Sequence, residues 1–85
     1  MENFSGKIYV GVVEDNIDPK RLGRCKVRIP YAYDVIPLES LPWASPFIEP
    51  NGKSFSVPPI GKIVNVLFMD GNIYMPYYKS AQKYN

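Results

Sequence analysis

Proline is the feature that most limits how this chain can fold. No stretch without proline exceeds 18 residues, and the stretches that remain alternate with a period of two rather than 3.6. Because proline lacks a backbone N–H and clashes with the preceding helical turn, long helices are excluded. The nine prolines lie at positions 19, 30, 37, 42, 46, 50, 58, 59 and 76.

Short strands fit the segments between the prolines. In the first strand Gly11 predicts a bulge or bend. The second alternates strictly and places Cys25, Val27 and Ile29 on one face. An Asp70-Gly71 turn joins the last two strands into a hairpin. The predicted strands are 7–13, 24–29, 43–48, 62–69 and 73–79, with a long connection at 30–42, one helical turn at 38–41, and a short extended piece at 55–57.

Five short strands separated by turns are typical of a small barrel. The spacing predicts an all-β, five-stranded, Greek-key barrel of the OB or SH3-like kind. A chain of 85 residues is enough for one such domain, spanning 1–85, with a core at about 7–79 and a polar tail at 80–85.

Composition excludes several classes of protein. With 46% hydrophobic and 21% charged residues the chain is expected to fold, and its net charge of +2 is small for a protein that neutralises a run of phosphates. One cysteine, Cys25, excludes an intrachain disulfide and makes a reducing compartment the default. No apolar segment approaches the roughly 20 residues of a membrane helix.

Catalytic and cofactor motifs are missing from the sequence. There is no histidine, and Cys25 alternates in phase with core positions, which favours a buried thiol over a nucleophile. The carboxylates fall mostly in predicted turns, and no phosphate-binding, zinc or calcium motif is present. The sequence therefore predicts no enzyme activity, no cofactor and no metal site.

The fourth strand is apolar on both faces. Val64, Val66 and Phe68 alternate with an opposite face that is also mostly apolar. A small barrel has one interior, so the outward face needs a cover. Either a neighbouring subunit or the 30–42 loop could supply it. The residues predicted to meet a subunit or partner are Ile63, Leu67, Met69, Tyr74, Tyr77 and Tyr78.

Positive charge concentrates on the second strand. Arg24, Lys26 and Arg28 share the face opposite the apolar one. They could form a basic stripe that follows a nucleic-acid backbone. A solvated strand face that limits aggregation, or one that pairs with an acidic partner, is the favoured interpretation because the net charge is small.

Several ordered motifs resemble a known family. GVVED at 11–15, DP at 18–19 and LGRCKVR at 22–28 are followed by IP at 36–37, LPW at 41–43, GKIVNVLF at 61–68 and DG at 70–71. In this order they resemble the OB-fold domain of contractile-phage baseplate spike proteins and type VI secretion Vgr proteins, and in particular the N-terminal domain of T4-like tail lysozymes. The residues singled out as structural motif positions are Gly11, Asp15, Gly23, Arg24, Pro42, Trp43, Gly61 and Gly71.

The resemblance implies a structural role. The family's OB domain assembles as a homotrimer that joins the baseplate hub to the central spike. This implies a virion protein of the tail baseplate, assembled in the host cytoplasm, with a hub protein and a spike protein as partners. Trp43 is then expected to anchor the long loop, and Gly23 to adopt a positive φ. The glycine common in the family near 74–79 is absent here.

Two rival hypotheses remain open. One is an OB-fold protein that binds single-stranded nucleic acid through Arg24, Lys26 and Arg28. The other is a fragment of a longer tail lysozyme. Nothing before Asn85 resembles a lysozyme, needle or repeat, so cell-wall hydrolysis is expected to be absent or to lie on another chain.

Overall fold

Five strands close into a barrel, as predicted. The computed structural model describes residues 7–47 and 56–80. Its strands are β1 (Tyr9–Asp15), β2 (Cys25–Arg28), β3 (Trp43–Pro46), β4 (Ile63–Phe68) and β5 (Pro76–Ser80). They follow one another around the barrel in the order β1, β2, β3, β5, β4, and β4 returns to β1. The all-β barrel prediction is confirmed.

One parallel pair closes an otherwise antiparallel barrel. The hairpins β1–β2 and β4–β5, and the pairs β2–β3 and β1–β4, are antiparallel, whereas β3 and β5 run parallel. Pro46 lies in that short parallel contact opposite Tyr78, and the next residue, Phe47, donates its backbone N–H to the Tyr78 carbonyl. Proline is tolerated here because the ladder does not need its missing donor.

The core comes from the inward residues of each strand. Val13, Val27 and Val64 are fully buried, as the alternation predicts. Phe68 makes edge-to-face contacts with the rings of Tyr9 and Tyr33, at centroid distances of 5.4 and 6.0 Å. The other buried apolar residues are Cys25, Ile29, Leu41, Ala44, Val66 and Tyr78.

Gly11 permits close packing but is not the bulge. A β-carbon at Gly11 would collide with Val27 Cγ1 and lie 2.8 Å from the Arg28 carbonyl oxygen. The irregularity in pairing occurs instead between Val13 and Asp15, where Glu14 is the extra residue on β1. The prediction of a bulge at Gly11 is thus corrected: Gly11 leaves room for the side chain and carbonyl of β2, and the bulge lies three residues later, at Glu14.

The hairpin connection is longer than predicted. A three-residue 3₁₀ turn covers Met69–Gly71, and the turn continues because Met75 N–H donates to the Asn72 carbonyl while Asn72 Oδ1 accepts the Tyr74 N–H. As a result β5 begins at Pro76 rather than at residue 73. A second 3₁₀ turn, Leu38–Ser40, falls where one helical turn was predicted.

Other strand ends differ by one or two residues. β1 runs to Asp15 rather than 13, and β2 and β4 are each slightly shorter than predicted. Residue 48, at the predicted end of the third strand, lies outside the described residues, as do Phe55 and most of the 80–85 tail. Residues 56–57 form no strand.

Candidate assembly surface

The outward face of β4 is exposed and apolar. The inward residues of β4 fill the core. On the outward side Ile63 is 51% exposed, and Met69, just beyond the strand, is 41% exposed. Leu67 is partly buried between them. The polar Asn65 interrupts this face between Ile63 and Leu67. Exposed large apolar side chains grouped on one face are still typical of an interaction surface rather than of a solvated sheet face.

The 30–42 loop lies over β2 and leaves the outward face of β4 uncovered. Lys26 Nζ donates to the carbonyls of Leu38 and Glu39, at 2.9 and 3.2 Å. The Arg28 guanidinium donates to the carbonyls of Tyr33 and Ile36. The loop therefore follows the basic residues of β2, and the hypothesis that it covers the outward face of β4 is wrong.

The predicted interface tyrosines separate into three environments. Tyr77 faces outward beside Leu67, its register partner, and is partly buried. Tyr74 is 77% exposed in the turn before β5. Tyr78 instead points into the barrel opposite Val66, and its hydroxyl donates to the Gly23 carbonyl at 2.6 Å. Burial raises the pKa of Tyr78 well above its usual range.

Tyr78 is therefore not available to a partner. The sequence predicts an interface role for Tyr78 only because β5 has aromatic residues on both faces, and alternation alone does not say which face is inward. The pairing of Tyr78 with Val66, a core residue of β4, decides the question.

The outward face of β1 extends this surface and was missed from the sequence. Ile8, Val10 and Val12 are 62%, 56% and 41% exposed. We call these three residues the β1 ridge. β1 pairs with β4 so that Val12 lies opposite Ile63, which makes the two apolar faces continuous. The signal was present, since these residues alternate with the core-facing Tyr9, Gly11 and Val13 just as the two faces of β4 alternate.

A small recess opens at the other side of β4. It has a volume of about 160 Å³ and is lined by Phe47, Leu67, Phe68, Met69, Asp70 and Tyr77. We call it the β4–β5 recess. At its margin Lys79 Nζ lies 5.6 Å from the centroid of the Phe47 ring, a cation–π distance. Ligand sites for drug-sized molecules are roughly 300–1,000 Å³, so this recess has room for one side chain.

The basic residues of β2 are bound within the chain. Arg24 forms a bidentate pair with Asp18, with both N···O distances 2.8 Å, and its Cζ lies 5.4 Å from the Trp43 ring centroid. Arg28 pairs with Glu14 at 3.1 Å. Lys26 is buried beneath the 30–42 loop, with Nζ 5.1 Å from the Trp43 ring centroid. Their face is thus neither a free basic stripe nor fully solvated.

Asp18 organises the loop between β1 and β2. Its carboxylate also accepts hydrogen bonds from the backbone N–H groups of Lys20, Leu22 and Arg24. The Arg24 guanidinium, helped by these N–H groups, holds the pKa of the Asp18 carboxyl well below its usual range. The sequence showed this residue only as part of a DP pair, because its partners lie two to six residues away.

The remaining motif residues lie in turns, at strand ends or against the 30–42 loop. Gly23 adopts φ 74°, as predicted, in the loop that Asp18 holds. Asp15 ends β1 and accepts the Ile17 N–H. Trp43 packs against Lys26, which in turn holds the 30–42 loop. Pro42 immediately precedes β3, while Gly61 and Gly71 both lie in turns.

Cys25 lies in the core rather than at the surface. Cys25 is fully buried, and that burial raises its pKa, so the thiol has little nucleophilic character. Residues 7–47 and 56–80 hold no cluster of three or more potential metal-ligating side chains. Within the same ranges no helix is long and apolar enough to cross a membrane.

A comparison with models of known protein families agrees with the barrel fold. The family model of the type VI secretion system/phage-baseplate injector OB domain matches residues 9–81, nearly the whole chain. No curated protein matches the sequence.

Proposed function

Because the chain belongs to the family of the type VI secretion system/phage-baseplate injector OB domain, we propose that it is a hub-to-spike adaptor. The family supports a structural role in a baseplate, with a place in the virion tail. The proposal adds that three copies assemble as a homotrimer in a contractile injection system and carry out no catalytic step.

The uncovered apolar face of β1 and β4 is the observation that supports self-assembly. Ile63, Val10 and Val12 are each more than 40% exposed, and the 30–42 loop lies elsewhere. A barrel of this size removes only about 60% of its surface from water on folding, so burying this face against another copy adds stability that one chain lacks.

The proposed subunit contacts are the apolar and aromatic side chains on the outward side of β4, β5 and the turn between them. Ile63, Leu67 and Met69 lie on the outward side of β4, with Tyr77 beside them on β5. Tyr74, exposed in the hairpin turn, is proposed to contact a neighbouring protein. Tyrosine and methionine are enriched at protein interfaces, which fits both groups.

The adaptor role requires two further partners. We assign one to the baseplate hub and the other to the central spike, with assembly in the host cytoplasm before the tail is completed. Co-purification of the chain with the hub and spike proteins of its own tail tests this part. Failure to bind either protein would contradict the adaptor role and leave the baseplate role intact.

Light scattering across a concentration series tests the trimer. We expect the mass of three chains at both low and high salt, because the proposed contact is apolar. Ile63→Lys should shift the equilibrium towards monomer. Val35→Lys, at a 92% exposed position in the 30–42 loop, is the matched control and should remain trimeric. A wild-type monomer at every concentration would refute self-assembly.

Nucleic-acid binding is not favoured. Arg24 and Arg28 are paired with carboxylates, and Lys26 donates to two carbonyls, so a phosphate backbone would have to break these contacts. Affinity for phosphates depends on cations that are free to replace counterions.

A further inference from the structure

The β1 ridge and the β4–β5 recess are complementary features on neighbouring parts of one surface. The ridge projects Ile8 and Val10 into solvent. The recess is concave, mostly apolar, and sized for a single side chain. Within one barrel they flank β4 on opposite sides, since β4 pairs with β1 along one edge and with β5 along the other.

The strand register places both features at the same level. Tyr9 pairs with Val66, which places Ile8, the residue before β1, at the end of the β1–β4 pair where Leu67 lies. Leu67 pairs in turn with Tyr77. A threefold rotation about an axis parallel to β4 leaves the position along that strand unchanged, so such a rotation can bring the Ile8 row of one copy to the Leu67–Tyr77 row of the next.

Opposite charges lie beside the β1 ridge and the β4–β5 recess. Lys7 is exposed beside Ile8, and Asp70 lies at the edge of the recess. Neither side chain takes part in a hydrogen bond or ion pair with the described residues. Asp70 also has a left-handed backbone, φ 52°, in the turn that ends β4.

We infer that the subunit contact is heterologous, with the Ile8 side chain of one copy in the β4–β5 recess of the next and Lys7 paired with Asp70 across the contact. This inference rests on the proposed homotrimer and specifies its geometry. Each copy uses the ridge on one side and the recess on the other, and β4 faces the threefold axis. A contact between two different patches closes a ring when the rotation fits.

Thiol cross-linking tests the contact directly. The test protein is the double variant Ile8→Cys/Met69→Cys, whose two new thiols sit on the ridge and at the edge of the recess. The native Cys25 is fully buried and has a raised pKa, so a short bis-maleimide should react only with the introduced thiols. We expect covalent products of two and three chains on a denaturing gel, with three as the largest.

Mixing single variants distinguishes this contact from a symmetric one. Ile8→Cys and Met69→Cys alone should give no covalent dimer, and their mixture should give dimers containing one chain of each. The matched control, Val35→Cys/Met69→Cys, should give none. Efficient cross-linking of Ile8→Cys to itself, or no dimer from the mixture of the two single variants while the wild type is a trimer, would overturn the inference.

These outcomes separate the inference from the proposed function. A trimeric wild type without ridge-to-recess cross-links removes the contact and keeps the homotrimer. Cross-linked ladders longer than three chains keep the contact and remove the closed trimer. A monomeric wild type removes both.

Charge reversal provides a second measurement. Asp70→Lys should raise the dissociation constant of the trimer by about tenfold, because like charges then face each other. Lys7→Asp/Asp70→Lys should restore most of the affinity, and Asp34→Lys, in the 30–42 loop, should leave it unchanged. Unaltered association in Asp70→Lys would refute the Lys7–Asp70 pair.

Discussion

At the scale of single residues, hydrogen bonds concentrate on a few side chains that fix loops. The Asp18 carboxylate accepts three backbone N–H groups and the Arg24 guanidinium. Such carboxylates cap turns in the way that capping residues satisfy helix ends. Because Gly23 and Arg24 lead directly into β2, the contacts of this one residue position the start of a strand.

Asp18 should make stability depend on pH. Its pKa is lowered in the folded protein, so its contribution is present above the unfolded value, about 3.9, and is lost as the pH falls below that value. We expect Asp18→Asn to unfold at a lower urea concentration at about pH 7 and to lose less stability than wild type between about pH 6 and 2.5.

Urea unfolding at several pH values measures both effects. Arg24→Gln removes the same ion pair from the other side and should flatten the pH dependence in the same direction. If both variants kept the wild-type dependence, the Asp18 contacts would not contribute to folding stability.

At the scale of elements, Tyr33 joins two segments distant in sequence. Its ring packs on Phe68 in the core, and its hydroxyl donates to the Ile73 carbonyl at 2.6 Å. The contact ties the 30–42 loop to the turn between β4 and β5. Burial raises the pKa of Tyr33, consistent with a neutral hydroxyl that acts as a donor.

Tyr33→Phe should loosen this connection without emptying the core. The ring is retained, so the cost is the lost hydrogen bond, about 0.5–1.5 kcal/mol of unfolding free energy. Amide exchange should accelerate at Ile36 and Met75, which donate within the two joined segments. Tyr31→Phe, at a 94% exposed position, is the control and should change neither quantity.

The elements also show which parts of the structure were predictable. Alternation identified the core faces of β2 and β4, because one buried side imposes a period of two. It did not identify the path of the 30–42 loop, which depends on carbonyls that accept from Lys26 and Arg28. It also misplaced Tyr78, since only pairing with a neighbouring strand distinguishes the two aromatic faces of β5.

At the scale of the whole molecule, a small barrel carries an apolar surface that one copy does not cover. The fold accounts for Ile63 and the β1 ridge only as outward positions of paired strands. In a single copy about half of the surface of each of these side chains faces water, and that half contributes no burial to stability. In the proposed trimer their burial couples folding to association.

Because folding is coupled to association in the proposed trimer, the melting temperature should depend on the protein concentration. If three folded chains associate before unfolding, a tenfold rise in concentration stabilises each chain by two thirds of RT ln 10, or about 0.9 kcal/mol. For a domain of this size that corresponds to an increase in Tm of about 4–7 °C. Ile63→Lys should show a lower Tm at high concentration and a Tm independent of concentration, whereas Val35→Lys should behave as wild type. Calorimetry over a hundredfold concentration range measures this. A wild-type Tm that stays constant would mean that the apolar face of β1 and β4 is not buried between copies, and its occupant would then have to be a different protein of the baseplate.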